Sequence, residues 1–240
     1  MKRGMGACAG AASWPEDIRY FQIGFQRCGT TALAAFFNRC DIACVHYDRG
    51  RLARRVRDNL AAGARPLEGY EHYRAFTNMN LNEPDDYFDA FKHYGALQRA
   101  YGGRFILNTR PVEHWVRSVM AHNAAFFDRA ALRRHYELRF GIADPARVAA
   151  CWRAEREAHH RRVRQEIPGE LLLEFDIESD PPELLCDFIG LPRACARHWR
   201  RQNPTMNRLG RLVVACVPRA AKRRIPGRVK QPLKMLLRAR

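Results

Sequence analysis

The sequence predicts an α/β protein, a mostly parallel sheet with helices on both faces. Three observations lead there. Short apolar and aromatic runs at 19–25, 41–46, 104–109 and 170–175 alternate with segments of helical period. Glycine and proline mark most of the switches, among them Gly29, Gly63, Pro66, Gly102-Gly103, Pro111 and Pro168-Gly169. At 240 residues and 47% hydrophobic content, the chain can bury the core that a doubly covered sheet requires.

The elements follow in order. Tyr20, Phe21, Ile23 and Phe25 read as a strand, and Gln26-Arg27-Cys28-Gly29 as a tight loop. From Thr30 the residues Leu33, Phe36 and Phe37 are spaced for one buried helix face. Asp41–His46 is a second strand, followed by a basic helix from Arg49 to about Ala62. Residues 67–80 resist assignment apart from a short strand at Ala75–Thr77. Glu83-Pro84-Asp85-Asp86 reads as the opening of a helix to about Tyr101, with Tyr87, Phe88, Phe91 and Leu97 on its core side. The strand Arg104–Thr109 comes next, then two helices over roughly 111–140. Asp144 caps a further helix with Pro145 at its first position, running to about Glu166. Glu170–Phe175 is the last strand, and Ser179–Glu183 caps a helix into Phe188.

A strand, a glycine turn and a helix start make an anion site, because the first helical N–H groups lack intrahelical partners. Gly29 allows close approach, and Thr30 and Thr31 add hydroxyl donors. The loop is P-loop-like. Gly24 and Gly29 have the separation of the nucleotide loop G-x-x-x-x-G-K-[ST], and Thr31 stands at the last position. Thr30 replaces its lysine, and a cation appears instead inside the loop, at Arg27. A phosphate-bearing ligand other than ATP or GTP is expected. Arg110 ends the 104–109 strand, and Ser118 follows eight positions later. Joint binding by the two requires a ligand lying along the intervening helix. Arg27, His46 and Arg110 all follow strand ends, where open α/β sheets bind ligands.

These motifs carry a family likeness. Arg27-Cys28-Gly29-Thr30-Thr31 resembles the 5′-phosphosulfate loop of the PAPS-dependent sulfotransferases, and Arg110-Pro111…Ser118 resembles their 3′-phosphate motif. The bacterial variety with an Ile-Gly-Phe-x-[Lys/Arg]-Cys-Gly-Thr-Thr loop is the most similar, and the similarity runs from about Tyr20 to Phe188. The resemblance implies sulfuryl transfer from PAPS to a hydroxyl or amine of a carbohydrate, glycolipid or small molecule, with no metal. Arg27 stands where many members have lysine. Because arginine keeps its proton, its implied role is electrostatic stabilisation. His46 is the base candidate, with Asp48, His72 and His93 as rivals. Alternatives are a non-catalytic nucleotide- or polyanion-binding protein on the same fold, or a P-loop kinase.

Charge divides the chain. The net charge is +17, yet residues 191–240 hold 15 of the 42 Lys and Arg and no acidic residue. The body is nearly neutral. The expected organisation is a loose arm at 1–18, an α/β domain at 19–206 and a basic amphipathic tail at 207–240. The tail suits peripheral contact with an anionic membrane face, an acidic polymer or solvent. Nucleic acid is not the expected partner, and the oligomeric state is not readable. The eight cysteines show no C-x-x-C pair and no His/Cys metal spacing, which suits reduced thiols. Cys28 is either a reactive thiol beside Arg27 or a small residue fitted to a tight turn. With no apolar run of about 18 residues and no apolar signal segment, a cytoplasmic location is expected.

Overall fold

The structure is a computed structural model that describes residues 18–200. The arm predicted at 1–18, Ile18 apart, and the tail predicted at 207–240 lie outside the described residues.

The sheet is parallel throughout. Its middle strand β1 (Tyr20–Gln22) lies between β3 (Ala75–Thr77) and β6 (Arg104–Thr109). Outside these run β2 (Cys44–His46), beside β3, and β7 (Leu172–Asp176), beside β6. Parallel strands are buried on both faces, which explains why these runs are continuously apolar rather than alternating. Phe21 sits opposite Phe76 and Phe105, all three fully buried, with ring centroids 5.5 and 5.4 Å from Phe21. Truncating any one of them to alanine would cost about 3–5 kcal/mol.

Alternate residues face the other way. Tyr20, Ala75, Ile106 and Phe175 pack under α1 (Thr30–Arg39), α7 (Glu183–Ile189) and the 3-10 turn Arg193–His198, through Phe36, Phe37, Leu185 and Cys195. The Phe21 face is covered by α2 (Arg51–Ala61), α3 (Tyr94–Tyr101), α4 (Val112–Phe126), α5 (Arg129–Phe140) and α6 (Pro145–Glu166). Their buried contributions include Val56, Leu97, Trp115, Tyr136 and Trp152. Asp144 caps α6 as expected, its side chain accepting from the Arg147 N–H at 2.9 Å. Residues 191–200, grouped by charge with the tail, are in fact docked on the domain, with Cys195 and Ala196 buried.

One expected helix is corrected. Residues 83–93 do not join α3. β4 (Asn80–Asn82) and β5 (Tyr87–Asp89) form an antiparallel hairpin, followed by a 3-10 turn at Ala90–His93. Pro84-Asp85 makes the hairpin turn, closed by the Glu83 N–H donating to the Asp86 carbonyl at 2.9 Å. A buried ion cluster decides the matter. Asp89 is buried and paired with Arg139 and with Lys92, while Arg139 and Lys92 also reach Glu155. A helix through 87–93 would break that arrangement. After β2 the basic helix begins at Arg51 rather than Arg49, because Tyr47, Asp48 and Arg49 all take positive φ.

Candidate active site

The loop after β1 is fixed from behind by groups far away in sequence. The Asn108 side chain donates to the Cys28 carbonyl, and Trp115 Nε1 donates to the Gln26 carbonyl at 2.9 Å. Gln22 Nε2 donates to Asn108 Oδ1 at 2.6 Å and to the Gly24 carbonyl. The loop carbonyls are thus taken up on the protein side. Gly29, at φ 75°, caps α1 in the left-handed region, which a residue with a side chain would enter under strain. The first α1 bond runs from the Leu33 N–H to the Gly29 carbonyl, so the N–H groups of 30–32 have no partner within the helix. Gly24 has a different task from the one its motif position suggests. A Cβ there would overlap the Asn108 carbonyl oxygen, so the glycine lets the chain after β1 pass close against β6.

The predicted cations meet here. Arg27, at φ 69°, points its Nε at Ser118 Oγ, 3.2 Å away on α4. Arg110 Nη1 donates to the Arg27 carbonyl at 3.3 Å. The same guanidinium pairs with Glu178, whose other oxygen is 2.7 Å from His114 Nδ1. Arg110 Nε is buried with no hydrogen-bond partner among the described residues. A third guanidinium, Arg156 on α6, donates to Thr109 Oγ1 and, at 2.7 Å, to the Arg110 carbonyl, lying over the Trp115 ring. Burial and then the Arg110 charge lower the pKa of Arg27, and burial lowers that of Arg156. Clustered, partly desolvated guanidiniums are costly unless an anion offsets them; Glu178 does so in part for Arg110, and a polyanionic ligand is the kind of group that would do so for the rest.

Arg156 escaped the sequence reading because α6 is rich in arginines. Its one signal is spacing. Four residues after Trp152 and seven before Val163, it shares their buried face. Trp115 is core, fully buried and edge-on to Trp152.

His46 reaches the loop. Its Nε2 is 3.4 Å from Thr31 Oγ1, and its Nδ1 is 3.0 Å from Thr77 Oγ1. The Thr77 hydroxyl donates to the Val45 carbonyl, so Nδ1 carries the ring proton and Nε2 accepts. Burial lowers this histidine to about 4. The rivals lie elsewhere. Asp48 is held by Arg51 at 2.6 Å and Tyr70 Oη at 2.8 Å, and these bonds keep it below the usual carboxylate range. His72 and His93 are exposed and lie against the Tyr73 and Phe88 rings. Of the two readings of Cys28, the tight-turn one holds. It is buried, and burial pushes its thiol up to about 12 despite the nearby arginines. A histidine that the sequence reading passed over, His122, lies one helical turn beyond Ser118 on α4. Its pKa is lowered to about 4 by burial and by the charge of Arg27.

Residues 20–205 match the sequence model of a family described as the Sulfotransferase domain. The chain belongs to this sulfotransferase family. The match spans every strand of the sheet, the loop, Arg110, Ser118 and His46, and it stops short of the 207–240 tail. No curated protein matches the sequence of this sulfotransferase. Among the described residues no helix is long and apolar enough to cross a membrane.

Proposed function

We propose that this sulfotransferase takes its sulfuryl group from PAPS and passes it to a hydroxyl or amine. The acceptor class is a carbohydrate, a glycolipid or a small molecule, and 3′,5′-adenosine diphosphate is released. The observation that supports this reading most is the linked trio of Arg27, Arg110 and Ser118, joined by bonds of 3.2 and 3.3 Å, with the two arginines following adjacent strands and the serine on α4. A bisphosphorylated nucleoside has two anionic ends, and this arrangement offers cations for both. The 5′-phosphosulfate would lie against Arg27 and the backbone of Cys28, Gly29, Thr30 and Thr31. The 3′-phosphate would lie against Arg110 and Ser118.

In the transition state, charge builds on the oxygen bridging sulfur to the 5′-phosphate. Arg27 and the α1 N–H groups stabilise it without giving up a proton. Side chains and backbone supply the positive charge, so no metal is invoked. His46, which the sequence suggested as a base, is held between Thr31 and Thr77 at the edge of the loop. Six free cysteines among the described residues favour a reducing, cytoplasmic setting, and the basic 207–240 segment offers a peripheral contact for an anionic membrane.

Thermal shift tests the reading, since a ligand of the native state raises the melting temperature by mass action. A clear rise with 3′,5′-adenosine diphosphate and little with 5′-AMP is expected. Equal responses to ATP and 3′,5′-adenosine diphosphate would turn the reading toward a kinase. Salt-dependent retention on polyanions with no nucleotide response would turn it toward a binding module.

A further inference from the structure

Helix α4 carries two polar side chains one turn apart on the side that meets the loop, Ser118 and His122. Ser118 is bonded to Arg27. His122 is half-buried against the Phe126 ring, centroids 4.4 Å apart. Neither of its ring nitrogens has a hydrogen-bond partner among the described residues, and neither is sealed from solvent. His46 differs on this point. Both its nitrogens are committed to threonine hydroxyls, so it accepts a substrate proton only after a protein bond is given up.

We propose that His122, not His46, accepts the proton of the attacking acceptor, and that His46 is a positioning residue holding Thr31 at the loop. This rests on the sulfuryl-transfer reading above. As the acceptor oxygen bonds to sulfur, the bond from sulfur to the 5′-phosphate oxygen breaks, and its electron pair leaves on that oxygen. The acceptor proton passes to a ring nitrogen of His122.

The electrostatics are consistent with that role. Burial, then the charge of Arg27 from the facing loop, hold His122 unprotonated at neutral pH. Among the described residues no other charged group shifts it. A donor anion seated on Arg27 would offset that charge and raise the basicity of the ring when the acceptor needs it.

The experiment uses PAPS with water as the acceptor, reading release of radiolabelled sulfate, so no acceptor need be known. His122→Ala is expected to lower sulfate release about 10²-fold. Its melting-temperature rise with 3′,5′-adenosine diphosphate should be intact, and added imidazole should restore part of the rate. His46→Ala should not be rescued by imidazole. Sulfate release by His122→Ala within about threefold of the unaltered protein overturns the assignment. So does a loss that imidazole fails to relieve, or imidazole rescue of His46→Ala instead. Donor binding without turnover above the His122→Ala background overturns it as well. If the unaltered protein shows no shift with 3′,5′-adenosine diphosphate, the donor reading itself has failed.

Discussion

Arg110 and Glu178 form an ion pair at the heart of the candidate site, the first following β6 and the second following β7. Glu178 also takes the His114 Nδ1 contact at 2.7 Å. The cation expected to hold a 3′-phosphate is therefore already partnered by a carboxylate, with which any incoming phosphate must compete. Glu178→Gln removes the competing charge while keeping the shape. It should tighten 3′,5′-adenosine diphosphate binding about three- to tenfold, roughly 1 kcal/mol, by calorimetric titration. Arg110→Ala should weaken it by about 1.5–3 kcal/mol, the range for a charged hydrogen bond. Weaker binding by Glu178→Gln would mean that the carboxylate positions Arg110 rather than competing for it.

The same carboxylate has a pH signature. Burial alone would raise Glu178, but the His114 hydrogen bond and the Arg110 charge outweigh it and hold the pKa below its ordinary 4.5. A carboxyl lowered on folding stabilises the fold above its unfolded pKa, and the contribution is lost as pH falls through the folded value. Glu178→Gln should thus lose stability at pH 7 relative to the unaltered protein, with the gap narrowing in urea melts taken below about pH 4.5. An unchanged gap at acid pH would show that the loss comes from packing.

Gly24→Ala should be among the most damaging single-methyl changes in the chain. The added carbon would overlap the carbonyl of Asn108, a backbone atom held in the β6 ladder that cannot swing aside. Overpacking of this kind costs about 1–3 kcal/mol. Because Asn108 also holds the Cys28 carbonyl, nucleotide affinity should fall together with stability. A variant with full stability and weak binding would return Gly24 to the phosphate-loop role that its spacing suggested.

Local signals made the strand, loop and helix of 20–39 readable, because aromatic strand residues, a left-handed glycine and a 3.6-residue period lie within one stretch. What stayed hidden is long-range. Nothing near Gly24 announces Asn108, and nothing near Arg110 announces Glu178, 68 residues away. The 83–93 segment was misread because Pro84 and the acidic pair after it suit a helix start and a hairpin turn equally, and Phe91 fits both periods. The choice is made by Arg139, a partner for Asp89 that comes 50 residues later. His122 was legible as an i, i+4 neighbour of Ser118, a clue visible only once Ser118 was known to face the loop.

Cys28 should be inert in the folded protein. A thiol raised to about 12 carries almost no thiolate at pH 8, and it is buried behind the loop. Iodoacetamide at pH 8 followed by peptide mass analysis should leave Cys28 unlabelled until urea unfolds the chain. Cys28→Ala should keep the melting-temperature rise with 3′,5′-adenosine diphosphate. Rapid labelling that nucleotide blocks would instead mark a reactive group in the site.

Six of the described histidines are lowered by burial, His46, His122, His159 and His160 the most strongly, and they make the fold acid-sensitive above the carboxylate range. Burial lowers His46, His122 and His159 to about 4 and His160 to about 3. In the unfolded chain each titrates near its ordinary 6.5, so below that pH the unfolded state binds more protons than the folded one. Stability should therefore be flat above about pH 7 and fall steadily from about 6.5 toward 4. His159 is the cleanest probe. It is fully buried, its Nε2 lies 2.7 Å from the Ile23 carbonyl at the base of the loop, and Phe25 packs edge-on to its ring. Its share is on the order of 1–3 kcal/mol by pH 4, within the range seen for buried ionisable groups. Urea melts of His159→Gln against the unaltered protein at pH 7.5 and pH 5 test this directly. The variant should be the weaker of the two at pH 7.5, where its packing is disturbed, but lose less on acidification. Equal slopes with pH would mean that His159 protonates as readily folded as unfolded, and that the β1 loop opens to water at its base.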